Sequence, residues 1–190
     1  NLVYLAEYFG LKEVANFWES VIEMNTWHQN RISEVVVNKL FGTVSNKKIA
    51  ILGFAFKANT NDTRESAAIM ICKNLLNEGA HLVIHDPKVS KFQIENDLQK
   101  KSLDLSGIEK SSIEKLSGQW RYSENIDIFD DAHAVLILTE WEDYKNIKWE
   151  ILAQKMVMPA WVFDSRSITD PKNINDAGLN LWRLGDGIKD

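Results

Sequence analysis

From Lys12 onward apolar side chains return every third or fourth position, through Val14, Phe17, Val21, Met24, Ile32, Val35 and Leu40. That period is the signature of an α-helix. Sustained over about eight turns at 1.5 Å per residue, it predicts a rod roughly 45 Å long. A helix of that length connects domains or packs against another chain. Phe41-Gly42 should end it, and Leu2, Leu5 and Phe9 mark a shorter helix before it, closed at Gly10.

The pattern then changes. Lys48 to Phe56 is an apolar run without polar alternation, as in a central parallel strand. Asp62 with Glu65 three residues on has the spacing of a capping box, so a helix is expected from Asp62. It carries Ile69, Cys72, Leu75 and Leu76 on one face and stops at Gly79. Further strands are expected at His81–His85, Ala134–Leu138, Ala160–Asp164 and Leu179–Leu184. Helices are expected over 123–132, 141–155 and 173–177, while 88–121 has no clear period and reads as a short helix and a loop. Strands alternating with helices predict an α/β fold, a Rossmann-like parallel sheet with helices on both faces, preceded by a long helical segment. The expected division is 1–45 for the helical segment and 46–190 for the sheet domain.

Composition narrows the partners. The 190 residues are 45% hydrophobic and 26% charged, with a net charge of −5. That balance supports a globular core and argues against a general binder of nucleic acid or of anionic membranes. No apolar run reaches the roughly 20 residues of a membrane span. The single cysteine excludes an internal disulfide and points to a reducing compartment, the cytoplasm. Cys72 sits on an apolar helix face and reads as an inert core thiol. The four histidines, His28, His81, His85 and His133, lack paired ligand spacing, so no metal site is expected. Asn25 and His28 on the long stripe should satisfy each other or a neighbouring chain. The abrupt helical start without an initiator Met reads as a piece of something longer.

In parallel sheets ligands bind beyond the carboxyl ends of the strands. The most informative such stretch is Phe56-Lys57 and the loop to Arg64, where two cations flank an expected helix N-terminus suited to phosphate. It lacks G-x-G-x-x-G and the Walker pattern, so it is not a standard dinucleotide or triphosphate cradle. On residue chemistry alone, Lys57 and Arg64 are either ligand contacts or solvated charges. Asp86 stands where a Rossmann acid would hold a ribose, but without the glycine motif Asp86-Pro87 reads as a turn. Thr139-Glu140-Trp141 follows the third strand, and Arg166 follows the fourth.

Ile49 to Lys57 together with Asn61-Asp62-Thr63-Arg64-Glu65-Ser66 resembles the UDP-glucose/GDP-mannose dehydrogenase family. Asp86-Pro87, His133-Ala134-Val135, Thr139-Glu140-Trp141 and Phe163-Asp164-Ser165-Arg166 follow in family order. The stretch from about Lys91 to Gln119 is the least family-like. The resemblance implies the C-terminal, substrate-binding part of an enzyme that oxidises UDP-glucose to UDP-glucuronate with NAD in two hydride transfers. A cysteine nucleophile upstream of this chain would carry the sugar as a thiohemiacetal and then a thioester. The chain itself would then hold no catalytic residue and be inactive alone. By motif, Phe56, Lys57 and Arg166 should contact the UDP-sugar, and Arg64 the NAD pyrophosphate. The implied partners are the N-terminal NAD domain of the same parent chain and a second copy, joined through the long helix as a homodimer. A related enzyme acting on another UDP-sugar or on GDP-mannose, or a non-catalytic nucleotide-binding or assembly module, are the competing readings.

Overall fold

The computed structural model describes residues 2–99 and 117–187. Helix α1 (Leu2–Tyr8) folds back on α2 (Lys12–Lys39), a helix of 28 residues and so roughly 42 Å. Phe41 and Gly42 both take positive φ, at 64° and 76°, and the Gly42 N–H closes the last turn on Val37 O at 2.9 Å. Only the end of α2 joins the core, through Ile32, Val35 and Val36.

Strand β1 (Lys48–Leu52) leads by a long loop to α3 (Ala67–Asn77) and β2 (His81–His85). Helix α4 (Lys91–Gln99) comes next, then β3 (Gln119–Ser123) and β4 (Ala134–Ile137). Short helices α5 (Glu142–Lys145) and α6 (Trp149–Ala153) precede β5 (Trp161–Asp164), α7 (Pro171–Asp176) and β6 (Asn180–Arg183). The six strands run in the order β3-β2-β1-β4-β5-β6, and every pair is parallel. Chain order reverses between β1 and β4. Right-handed crossovers leaving that point in opposite directions put helices on both faces, the doubly wound arrangement expected from the sequence. Ile49, Ala50, Ile51 and Leu52 pair with strands on both sides and are fully buried, which is why their run shows no polar alternation.

Four local expectations are corrected. The helix expected from Asp62 starts at Ala67, and its N-cap is Ser66, whose hydroxyl accepts from the Ala68 N–H. Asp62 instead accepts from the N–H and side chain of Arg64, and Glu65 at φ 59° interrupts any helical path between them. Arg64 therefore stands in the loop, three residues before the helix whose first turn it was expected to flank. The stretch 123–132 is not helical; after β3 it runs through bends that sink Ile128 and Phe129 into the core. The single helix expected over 141–155 is two short ones. A continuous helix would set Tyr144 and Trp149 about 140° apart around its axis, and the break between α5 and α6 lets both be buried. Strand β3 went unforeseen because it is an edge strand, half exposed and polar. Most of the atypical 91–119 stretch lies outside the described residues, which begin it with α4 and resume near β3.

Candidate functional site at the switch point

In such a sheet the ligand crevice is expected where the chain order reverses, beyond the carboxyl ends of β1, β4 and β5. Gly53 leaves β1 at φ 96° against Thr139 at the end of β4. A Cβ there would stand 2.4 Å from the Thr139 Cβ and 2.7 Å from its backbone nitrogen, so the two strand ends meet only with glycine at this position. Thr139 Oγ1 donates to Ala55 O at 2.7 Å, and Ser66 Oγ donates to Phe54 O at 2.8 Å. The Phe56 N–H donates to Asp62 O at 2.8 Å. With its backbone so pinned, the loop turns Phe56 and Lys57 outward, both exposed.

Asp86 organises this loop from below. It is buried at the end of β2, and its Oδ2 accepts from Phe54 N at 2.7 Å, Ala55 N at 3.0 Å and Trp141 Nε1 at 3.2 Å. Its Oδ1 accepts from Lys88 N at 2.9 Å and Val89 N at 3.0 Å. The turn expected at Asp86-Pro87 is present, and the same carboxylate also ties the β1 and β4 ends together. The first strand–helix turn is where a dinucleotide fold receives a pyrophosphate on backbone amides. Here the Phe54 and Ala55 amides are already taken.

On the other side of the crevice Asp164 is fully buried after β5. Its Oδ2 accepts from the N–H and hydroxyl of Thr169 at 2.8 and 2.7 Å, and its Oδ1 from the Arg166 N–H at 3.0 Å. Arg166 Nε donates to Leu138 O at 2.8 Å and lies 3.4 Å from Glu140 Oε2. Those contacts use Nε and leave the two terminal guanidinium nitrogens without a protein hydrogen bond among the described residues. Lys57 likewise has no hydrogen bond or ion pair there, though its charge helps lower the Asp62 pKa.

Arg64 stands at the outer end of the same loop. Its Nε and terminal nitrogen hold Asp62 in a two-point pair at 2.9 and 2.7 Å, with the arginine side chain 88% exposed. That hydrogen bonding holds the Asp62 carboxyl at about 2. Helix α4 secures the loop: Thr63 Oγ1 donates to Asp97 Oδ2 at 2.5 Å, and Gln93 Nε2 to Asn61 O at 2.8 Å.

The matching profile settles the kinship. Residues 50–171 match the UDP-glucose/GDP-mannose dehydrogenase family, UDP binding domain. The chain belongs to this family. UDP-glucose 6-dehydrogenase 4 of Arabidopsis thaliana is 39% identical over 191 residues, covering 97% of this chain, and UDP-glucose 6-dehydrogenase 1 of Glycine max is 41% identical over the same share. The chain spans 39% of the length of each of these relatives. A UDP-glucose dehydrogenase from Pyrobaculum islandicum superposes with a TM-score of 0.62 over 95% of this chain and 34% of its own, at 21% identity, a likeness of fold.

Within this family member, Cys72 is the buried thiol expected from its apolar helix face, and burial pushes its pKa far up, so it is no nucleophile. Among the described residues no three His, Cys, Asp or Glu side chains gather into a metal site, and no helix is long and apolar enough to cross a membrane. Glu140 brings the loop that carries Phe56 and Lys57 next to Arg166, whereas Arg64 stands at the outer end of that loop. Glu140, to which residue reasoning gave no role, sits between the loops. Its partners come from segments distant in sequence, so only its place after a strand pointed to it.

Proposed function

We propose that this chain supplies the nucleotide-sugar-binding part of an NAD-dependent UDP-glucose 6-dehydrogenase, which oxidises UDP-glucose to UDP-glucuronate. The observation that carries the reading is the pair of uncommitted cationic ends, the Lys57 ammonium and the outer fork of Arg166, at a switch-point crevice in a UDP binding domain. A diphosphate presents oxygens that accept from both, and the guanidinium fork suits it bidentately. The exposed Phe56 ring offers an apolar face beside them. Relatives near 40% identity carry the name of this activity, which gives glucose preference over another sugar.

The fit to NAD is limited. NAD supplies the hydride acceptor for the reaction. This chain has no glycine cradle for it, and Asp86 occupies the amides that would face a pyrophosphate. What remains is Arg64, exposed on the rim, where a dinucleotide phosphate would compete with Asp62 for the guanidinium. The main NAD site, and the nucleophile that holds the sugar, are therefore assigned to the rest of the parent protein. This chain's part is to bind and orient the UDP-sugar and to exclude water from its diphosphate.

The test is a pair of substitutions in the full-length enzyme. A charged hydrogen bond in a partly desolvated site contributes about 1.5–3 kcal/mol. Lys57→Ala should thus lower kcat/KM for UDP-glucose at least about tenfold, with a small change for NAD. Arg64→Ala should raise the KM for NAD and leave UDP-glucose binding nearly as it was. Unchanged UDP-glucose kinetics in a folded Lys57→Ala enzyme would remove the crevice as the substrate site.

A further inference from the structure

We infer that Glu140 is a positioning residue that holds the two cation-bearing loops of the crevice in one spatial register. This rests on the reading above, in which Lys57 and Arg166 meet the nucleotide sugar.

Glu140 lies three residues past the end of β4, the strand between β1 and β5. The residues around it are buried: Leu138 and Thr139 before it, Trp141 after it. Its own side chain stays about a third exposed, at 37%, and its two oxygens serve different loops. Oε1 accepts from the N–H of Ala58 at 3.3 Å, the residue after Lys57. Oε2 lies 3.4 Å from Arg166 Nε, whose hydrogen is held by Leu138 O at 2.8 Å. One carboxylate thus accepts from the backbone beside the lysine and sets its charge against the arginine's inner nitrogen, leaving the outer nitrogens uncommitted among the described residues.

The two contacts differ in kind. The Ala58 N–H needs an acceptor, whereas Arg166, whose single Nε hydrogen is spent on Leu138 O, meets the carboxylate through charge. Glutamine would keep an acceptor for the Ala58 amide but lose the negative charge set against the guanidinium. An anion beside a phosphate site also opposes the ligand charge, and such a group is useful there only if it orders the cations more than it repels the phosphate. Glu140 is placed to do so, since its charge faces Nε and the Ala58 amide.

The prediction is tested in the full-length enzyme with Glu140→Gln, alone and combined with Arg166→Ala. Glu140→Gln should raise the KM and the Kd for UDP-glucose at least fivefold, about 1 kcal/mol by RT ln 5, with the NAD KM within twofold of wild type. Because the carboxylate works through Arg166, adding Glu140→Gln to Arg166→Ala should weaken UDP-glucose by a clearly smaller factor than it does in the wild-type background. Amide hydrogen exchange of the ligand-free protein should speed up at residues 57–59 in a Glu140→Ala variant, which removes the acceptor of the Ala58 amide. Wild-type UDP-glucose affinity in Glu140→Gln would overturn the proposal, as would full additivity with Arg166→Ala. Wild-type affinity in both Lys57→Ala and Arg166→Ala would instead overturn the underlying substrate site.

Discussion

His85 shows how a single side chain couples the fold to pH. It closes β2, buried, with Nδ1 3.0 Å from the Tyr144 hydroxyl. Burial pushes its imidazole below the ordinary value, while the charges of Asp86 and Asp143 and the Glu124 backbone pull the other way. His133 is lowered too, by burial and by Lys47. In the unfolded chain a histidine takes up its proton near pH 6.5, roughly. The native state resists until a lower pH, so between the two values the unfolded chain binds more protons. Stability should therefore fall as pH drops through about 6.5 toward the folded values, and the loss is complete below them. His85→Asn keeps an amide near the position of Nδ1 and does not titrate. Urea denaturation midpoints should then decline less for this variant than for wild type between about pH 7 and 5. Parallel pH curves for the two proteins would remove His85 from the account. The crevice depends on the same neighbourhood, because Asp86, one residue on, sets the loop that carries Phe56 and Lys57.

Secondary-structure elements here are joined at their ends more than along their lengths, and Asp86 is the clearest joint. Asp86→Ala leaves the buried Phe54 and Ala55 amides and the Trp141 indole N–H without an acceptor. Unsatisfied buried donors cost about 1–3 kcal/mol each, so with partial relaxation the loss should total about 3–5 kcal/mol. Asp86→Asn should lose a similar amount, since its N–H₂ would face donors. Equilibrium unfolding in urea measures both, and a loss below about 1 kcal/mol would show that water replaces the carboxylate. This joint also explains what could be read from the sequence. Strands β1, β4 and β5 are buried on both faces, so their apolar runs announce them. Strand β3 has an exposed edge and announces nothing. Asp62 and Ser66 are both good caps with helical sequence beyond them. The choice falls to Ser66 because its hydroxyl also donates to Phe54 O, twelve residues back, while Arg64 claims Asp62. In the crevice, Lys57 and Arg166 were legible as cations after strands. The Glu140 bridge was not, because it joins Ala58 and Arg166 across 82 and 26 positions, a pairing that only the strand order creates.

At the scale of the whole molecule the described strands share one buried core, and most of the helical arm lies outside it. The described core takes in α2 only from Ile32 onward. Before that, α1 and α2 cover little of each other, with Ala6 and Ala15 buried between them. Tyr8, Phe9, Phe17, Met24 and Trp27 remain 57–72% exposed along the same arm. So much contiguous apolar surface in water is unfavourable, at about 25 cal/mol per Å² left uncovered. A second copy is the expected cover, since a two-fold pair of arms buries the same stripe on both sides without any new sequence. Sedimentation of the 190-residue chain should therefore show a concentration-dependent dimer. Phe17→Glu with Trp27→Glu should shift it toward monomer. Neither side chain belongs to the core, so the thermal melt of the sheet should stay within a few degrees, roughly the shift from 1 kcal/mol or less. If the doubly substituted chain dimerised as well as the original, the contact would lie elsewhere, at an exposed sheet edge or on the far helices. A wild-type chain that stayed monomeric at high concentration would leave the arm to pack on other parts of its parent protein.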